Sequence, residues 1–350
     1  MKQRLKKSEC NQQPVVIELL AFLRRHNHAL PVLAAFAGLL LTTVVWRFSP
    51  TLSIIVAAGA LYAVYMEVMT QWAFRAPMAR KPKLIEEEWN PLAYDVAGIQ
   101  MFTNHAVGEQ GRPTVWICHG WTSGSQRMVG RAESFRAKGW NVVMVDLPSH
   151  GGSQRLRKWT AEESTTLVIG SINRLADEFP SLFEGPFYYY GHSMGAFIGL
   201  RISKRRDEVA FGEKLAGWVF ESPMTGYTEI FEETCRLLRV PRFLRPVLLR
   251  KTIRHVNAIN QRPQPLYQLL EADMPLWGMP REPLLLVQAQ PDERLGNAHH
   301  QRLESTMQEA GVEHLLSAYY LESLRHSGAA VHDERDRLVS QWIDVHSSSE

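Results

Sequence analysis

Ser193 stands within Gly191-His192-Ser193-Met194-Gly195, a pentapeptide of the form G-x-S-x-G. A serine can attack an acyl carbon when a base takes its proton, an acid orients that base and donors receive the oxyanion. The flanking residues suit that use. Pro186-Phe187-Tyr188-Tyr189-Tyr190 reads as a buried strand, and Ala196-Phe197-Ile198-Gly199-Leu200-Arg201-Ile202 reads as a helix. A sharp strand-to-helix turn strains the serine backbone, lifts its hydroxyl clear of a sheet and aims a helix N-terminus at the reacting centre. The pentapeptide alone is a weak signal, and a helix-capping serine is the bland alternative. Its strand-turn-helix setting is what makes it specific.

Partners for Ser193 lie downstream. The apolar strand 284–289 runs into Gln290-Pro291-Asp292-Glu293, and Glu221 ends the strand 215–221. Asp292, Glu293 and Glu221 are therefore the candidate acids, with Glu293 also readable as solvated surface charge. His326 sits in Glu322-Ser323-Leu324-Arg325-His326-Ser327-Gly328, after the strand 315–321; His332 competes from the start of a closing helix. His299 and His300 fall on a helix expected to be exposed, as bystanders.

Groups so far apart in the chain need a scaffold that gathers loops at one edge. From about residue 84 apolar strands alternate with helices, which predicts a largely parallel sheet covered on both faces. Residues 92–103 read as one or two opening strands. Thr114-Val115-Trp116-Ile117-Cys118 runs into His119-Gly120-Trp121, and Asn141-Val142-Val143-Met144-Val145-Asp146 runs into Leu147-Pro148-Ser149-His150-Gly151-Gly152-Ser153. Helices are expected over 125–137, 161–179, about 298–309 and about 331–345. Between about 223 and 283 the alternation gives way to short helical pieces broken by prolines, which reads as a helical cap over the carboxyl edge of the sheet.

Taken together, His119-Gly120-Trp121, the segment Asp146–Ser153 and the Ser193 pentapeptide resemble the α/β-hydrolase superfamily, most of all its monoacylglycerol lipase, lysophospholipase and serine aminopeptidase branch. The resemblance covers about 84–345. It implies an α/β-hydrolase fold with a cap, in which the triad residues follow in the chain order serine, acid, histidine. Ser193 is then the nucleophile, Asp292 the acid and His326 the base. The backbone N–H groups of Trp121 and Met194 form the oxyanion hole. His119, Asp146 and His150 are expected to shape loops, and the loop 147–153 to border the acyl pocket. No cofactor is implied.

Residues 1–83 depart from the family pattern and carry the apolar excess. Residues 29–46, ALPVLAAFAGLLLTTVVW, are uncharged and long enough to cross about 30 Å of hydrocarbon. After Arg47-Phe48-Ser49-Pro50 a second apolar stretch resumes, and about 51–69 is the less certain span because it runs into Glu67. Lys2, Arg4, Lys6, Lys7, Arg24 and Arg25 precede the first segment, Arg75, Arg80, Lys81 and Lys83 follow the second, and Arg47 lies between. The positive-inside rule puts both flanks, and a multi-pass anchor's catalytic domain, on the cytoplasmic side of an inner or plasma membrane. The alternatives are one span with an interfacial second helix, a cleaved signal peptide, and a buried helix pair. Residues 15–23 suit a surface amphipathic helix or a linker helix.

A net charge of +3 over 350 residues, with no basic, aromatic-interleaved patch, excludes an electrostatic case for nucleic acid. Cys10, Cys118 and Cys235 are widely spaced, which fits a reducing compartment, and no His/Cys cluster has zinc spacing. The expected activity is that of a membrane-anchored serine hydrolase cleaving lipid-like carboxylic esters, with the bilayer and a small or lipid ester as partners. A thioesterase, acyltransferase or serine aminopeptidase would use the same triad, the last with an amine-binding carboxylate such as Glu229, Glu232 or Glu233. A non-catalytic membrane scaffold is the reading from another class. In the cap, Arg236, Arg239, Arg242, Arg245, Arg250, Lys251 and Arg254 among apolar residues suit anionic headgroups or simply water. Met224, Tyr227, Phe231 and Trp277 would line an acyl pocket or pack the cap. Oligomeric state is not legible.

Overall fold

The central strands are near-continuous apolar runs, as strands buried on both faces of a sheet must be, and successive side chains point to opposite faces. The computed structural model describes residues 23, 28–77, 81–210, 212–260, 265–327 and 329–347. Its sheet holds β1 (Asn90–Val96), β2 (Ile99–Ala106), β3 (Thr114–Cys118), β4 (Asn141–Asp146), β5 (Phe187–His192), β6 (Leu215–Glu221), β7 (Leu284–Ala289) and β8 (Leu316–Leu321), in the order β1-β2-β4-β3-β5-β6-β7-β8. The β1–β2 and β2–β4 pairs are antiparallel and the others parallel. The chain thus has the α/β-hydrolase architecture.

Side chains alternate between two cores. Val115 and Ile117 of β3 join Phe135 of α1 (Val129–Arg136) and Trp342 of α2 (Asp333–Ser347), whereas Trp116 and Cys118 join α3 (Ala161–Glu178) and α4 (Met194–Lys204). Fully burying each such side chain contributes roughly 1.5–3 kcal/mol. The tyrosine run of β5 obeys the same alternation, and each hydroxyl has an acceptor: Tyr188 donates to His346 O, Tyr189 to Gly195 O and Tyr190 to Glu221. Buried hydroxyls without acceptors would cost free energy, so this strand tethers three different parts of the molecule.

The helix α5 (Ala298–Glu309) corrects an expectation. His299 and His300 are both buried, not exposed. His299 shares a face with Leu303 and Met307, at i, i+4 and i+8, and its Nδ1 accepts the Thr225 N–H at 3.0 Å.

The cap consists of α6 (Thr228–Leu237) and α7 (Arg245–Asn260) with short 3-10 turns. Two apolar helices precede the sheet: α8 (Ala29–Trp46) and α9 (Pro50–Trp72). Ser49 caps α9, accepting the Leu52 N–H at 3.3 Å, with Pro50 in the first helical turn. The pair packs closely enough that a Cβ on Gly38 would come within 2.5 Å of Ala60 Cβ. Most of α8 is exposed, Phe36, Leu39 and Leu40 among it. The last turns of α9 differ: Met66, Thr70 and Gln71 are buried, and Met66 joins Cys235, Val240 and Leu248 of the cap, with Phe231 alongside. Glu67, which made this span uncertain in the sequence, pairs with Lys251 of α7. The helix therefore runs on to Trp72 instead of fading near residue 69. Of 15–23 only Leu23 is described; Cys10, Arg80 and the basic residues from Lys2 to Arg25 lie outside the described residues.

Candidate active site

Ser193 occupies the turn between β5 and α4 with φ +53° and ψ −113°. A non-glycine residue in such a conformation costs on the order of 1–3 kcal/mol, and packing must hold it there. The constraint is visible in the flanking glycines. A Cβ on Gly195 would lie 2.1 Å from Cys118 O, and one on Gly191 would lie 2.5 Å from Ala196 Cα. The Ser193 N–H donates to Glu221 O at 3.0 Å, fixing the turn to the end of β6.

Three loops converge on the hydroxyl. His326 Nε2 lies 3.0 Å from Ser193 Oγ, and His326 Nδ1 lies 2.8 Å from Asp292 Oδ2. With Nδ1–H donating to the carboxylate, Nε2 is left as the acceptor for the serine proton. Asp292 is itself fixed: Oδ1 accepts the N–H groups of Arg294 (2.9 Å) and Leu295 (2.8 Å), and Oδ2 accepts Gln288 Nε2 (3.1 Å). Burial works to raise the Asp292 pKa, but His326 and those backbone donors prevail and hold it below the ordinary carboxylate value. The carboxylate therefore stays ionised beside the imidazole.

Trp121, in the loop after β3, and Met194, at the start of α4, are the residues whose backbone N–H groups the sequence nominated for the oxyanion. Neither N–H has an acceptor among the described residues. Gly120 brings the first loop against the turn, for a Cβ there would meet Ser193 Cβ at 3.1 Å. The neighbouring histidines are spent on loop order. His119 donates Nδ1–H to Gly120 O (2.7 Å) and accepts the Leu147 N–H (3.0 Å); His150 donates to Pro148 O (2.9 Å) and accepts the Thr122 N–H (3.1 Å). Burial pushes His119 down to about 4, so it is neutral in these bonds at pH 7. Asp146 accepts from Ser125 N and Oγ (both 2.7 Å) and Gly152 N (2.8 Å), which makes it a loop anchor too.

The competing acids are used elsewhere. Glu221 is buried and chelated by Arg131 at 2.5 Å on both oxygens, with Arg335 3.6 Å away. Burial would raise its pKa, yet the two guanidinium groups drive it well below the carboxylate range. Glu293 is exposed. His332 accepts the Arg335 N–H at 3.1 Å at the start of α2, a capping bond. Met224, Trp277 and Tyr227 pack with Phe197, Trp277 stacked on its ring at 4.8 Å, and Phe231 lies in the seam between cap and α9.

Two positioning residues escaped the sequence reading. His192 Nε2–H donates to the His326 carbonyl oxygen at 2.9 Å, tying the nucleophile turn to the loop of the base. Gln288 does the same for Asp292. The first sat in plain view inside the pentapeptide; nothing in the sequence marks the second. Among the described residues no cluster of three or more His, Cys, Asp or Glu side chains is placed to hold a metal ion.

A family model described as serine aminopeptidase matches residues 109–268. The chain is 27% identical over 248 residues to the esterase YjfP of Escherichia coli (strain K12), covering 66% of this chain and 90% of that protein. Its fold is similar to the Pyrococcus furiosus esterase Pf2001 (TM-score 0.55, 15% identity, 77% of this chain and 98% of that one). It is also similar to the mouse alpha/beta hydrolase domain-containing protein 10 (TM-score 0.51, 14% identity, 73% of this chain and 97% of that one).

Proposed function

We propose that this α/β hydrolase, an ester-cleaving enzyme by its fold and its relatives, is a membrane-anchored serine hydrolase of lipid-like esters that works through Ser193, His326 and Asp292. The relay from Asp292 to His326 to Ser193, ending on a strained turn, is the observation that carries this reading. Ser193 Oγ attacks the acyl carbon while His326 Nε2 takes its proton. Asp292 holds the imidazole by its Nδ1–H and stabilises the imidazolium. The N–H groups of Trp121 and Met194 receive the oxyanion, a contribution of about 3 kcal/mol each. His326 then protonates the departing alcohol, activates a water against the acyl-enzyme and returns the proton to Ser193.

A lipid-like ester is favoured over a peptide amine by the state of the cap carboxylates. Glu229 pairs with Arg302, Glu232 with Arg245 and Glu233 with Arg236, so each already has a cation. Membrane anchoring rests on α8 and α9, both long and apolar enough to cross a bilayer. A cleaved signal sequence would leave α9 without the packing partner that Gly38 and Ala60 provide, and α9 also holds the cap. With the charge pattern of the flanks, this favours a retained hairpin and a cytoplasmic hydrolase domain. The exposed Leu237, Phe243 and Val247, set among Arg239, Arg242 and Arg250, give the cap a face suited to the same lipid surface.

Fluorophosphonate labelling of membranes from cells expressing wild type or Ser193→Ala tests the reading. The wild type should label and Ser193→Ala should not, and a panel of esters, thioesters and aminoacyl amides of graded acyl length should give turnover on the esters. Labelling that survives Ser193→Ala would sink the triad, and turnover confined to amides would sink the ester assignment.

A further inference from the structure

We propose that the cleft between the end of α9 and residues 155–157 binds the phosphate group of a membrane lipid. Arg75 and Ala76 form one wall and Arg155, Leu156 and Arg157 the other, around a volume of about 320 Å³. The walls are built together. Arg75 and Lys158 form an antiparallel backbone bridge, the Trp159 N–H donates to Phe74 O at 3.0 Å, and Lys158 Nζ reaches the Gln71 side chain in the last turn of α9. Lys158 is buried behind them, and burial pushes its pKa down to about 8.

The charge balance asks for an anion. Three arginines, Arg75, Arg155 and Arg157, line the cleft, and no carboxylate-bearing residue does among the described residues. Guanidinium forks match the oxygen geometry of phosphate, and a phosphodiester offers two free oxygens to more than one fork. Ala76 and Leu156 add an apolar floor that inorganic phosphate would not use.

Position selects a lipid as the source. This inference rests on the proposed membrane hairpin: the cleft follows directly on the last turn of α9, where the exposed Trp72 is an interfacial aromatic. The Arg75 guanidinium lies over the Trp72 ring, 5.9 Å from its centroid, which puts the cleft at headgroup depth. The cleft also touches the catalytic loops. The Leu156 N–H donates to Ser149 Oγ (2.9 Å), Trp159 Nε1–H donates to Pro148 O (3.1 Å), and the Trp159 ring lies 4.7 Å from that of Trp121. A headgroup held here steadies the loop that offers the Trp121 N–H to the oxyanion.

The full chain in neutral detergent would be titrated with an ether-linked, uncleavable phosphatidylglycerol, with the matching uncharged diether glycerol and with inorganic phosphate, binding being read by native mass spectrometry. The phosphatidylglycerol should bind at least about tenfold tighter than either comparator, since each basic contact near a membrane surface is worth roughly a fivefold change. Arg75→Gln, Arg155→Gln and Arg157→Gln should each weaken it by about that factor, and the triple variant should lose it. Equal binding by all three single variants, with circular dichroism showing them folded, would overturn the site, as would equal affinity for the uncharged diether. Inorganic phosphate binding as tightly as the lipid would overturn the lipid assignment. The hairpin is read separately: release of the protein from membranes by carbonate would overturn it, while fluorophosphonate labelling reports on Ser193 whatever the titration shows.

Discussion

The turn that carries Ser193 and the seam between α9 and the cap both join residues remote in the chain, but they are made of different materials. At the turn, directional bonds in a water-poor setting leave each group one place to go: Ser193 N–H on Glu221, Tyr189 on Gly195, His192 on the His326 carbonyl, Asp292 under four donors, His326 among them. At the seam, four buried apolar residues and a Lys251–Glu67 pair, 31% and 18% exposed, do the joining. Apolar contact is non-directional and an ion pair open to water is weak, so such a seam can part and re-form where the turn cannot. The difference assigns rigidity to the chemistry and freedom to its cover.

That contrast can be broken or sharpened by substitution. The largest effect should come from Asp292→Asn, which keeps the shape but leaves His326 in the wrong tautomer; kcat on a short ester should fall by about 10⁴-fold. A fall below tenfold would mean that another carboxylate supports the base. Next, Glu221→Gln leaves the buried Arg131 without its carboxylate, and urea unfolding should show a loss of about 3–5 kcal/mol. Acid comes third. Burial pushes both His119 and His299 down to about 4, below the ordinary imidazole value of 6.5, so the neutral forms stabilise the fold fully above 6.5. That stability is lost as pH falls from 6.5 toward 4, approaching about 1.4 kcal/mol per pH unit for each histidine. Unfolding midpoints at pH 7 and pH 5 would show it, and a flat profile would contradict the neutral assignment. The smallest effect belongs to the seam: Glu67→Gln should change global stability by less than about 1 kcal/mol, while hydrogen exchange in α7 speeds up. A loss as large as that from Glu221→Gln would erase the contrast.

What the sequence let one read follows the same division. The strand–turn–helix around Ser193 is local, and the acid and base sit at strand ends whose apolar runs are plain, so the fold and the residues that converge on Ser193 were legible. Glu221 was legible as a strand-terminal carboxylate but not as the partner of Arg131, which is 90 residues away. The burial of His299 had a faint signal, its four-residue spacing to Leu303 and Met307, outweighed by the polar composition of that helix. The true end of α9 had none, because the partner of Glu67 lies far down the chain.

That distance, 184 residues between Glu67 and Lys251, has a meaning in time as well as in space. Synthesis at about 5–20 residues per second separates the two by roughly 10–40 s. Throughout that interval Met66 has left the ribosome with no cap to cover it, and by the end of it β1 to β6 have emerged as well. The cap is thus the late arrival, closing onto a helix and a half-finished sheet that are already waiting for it.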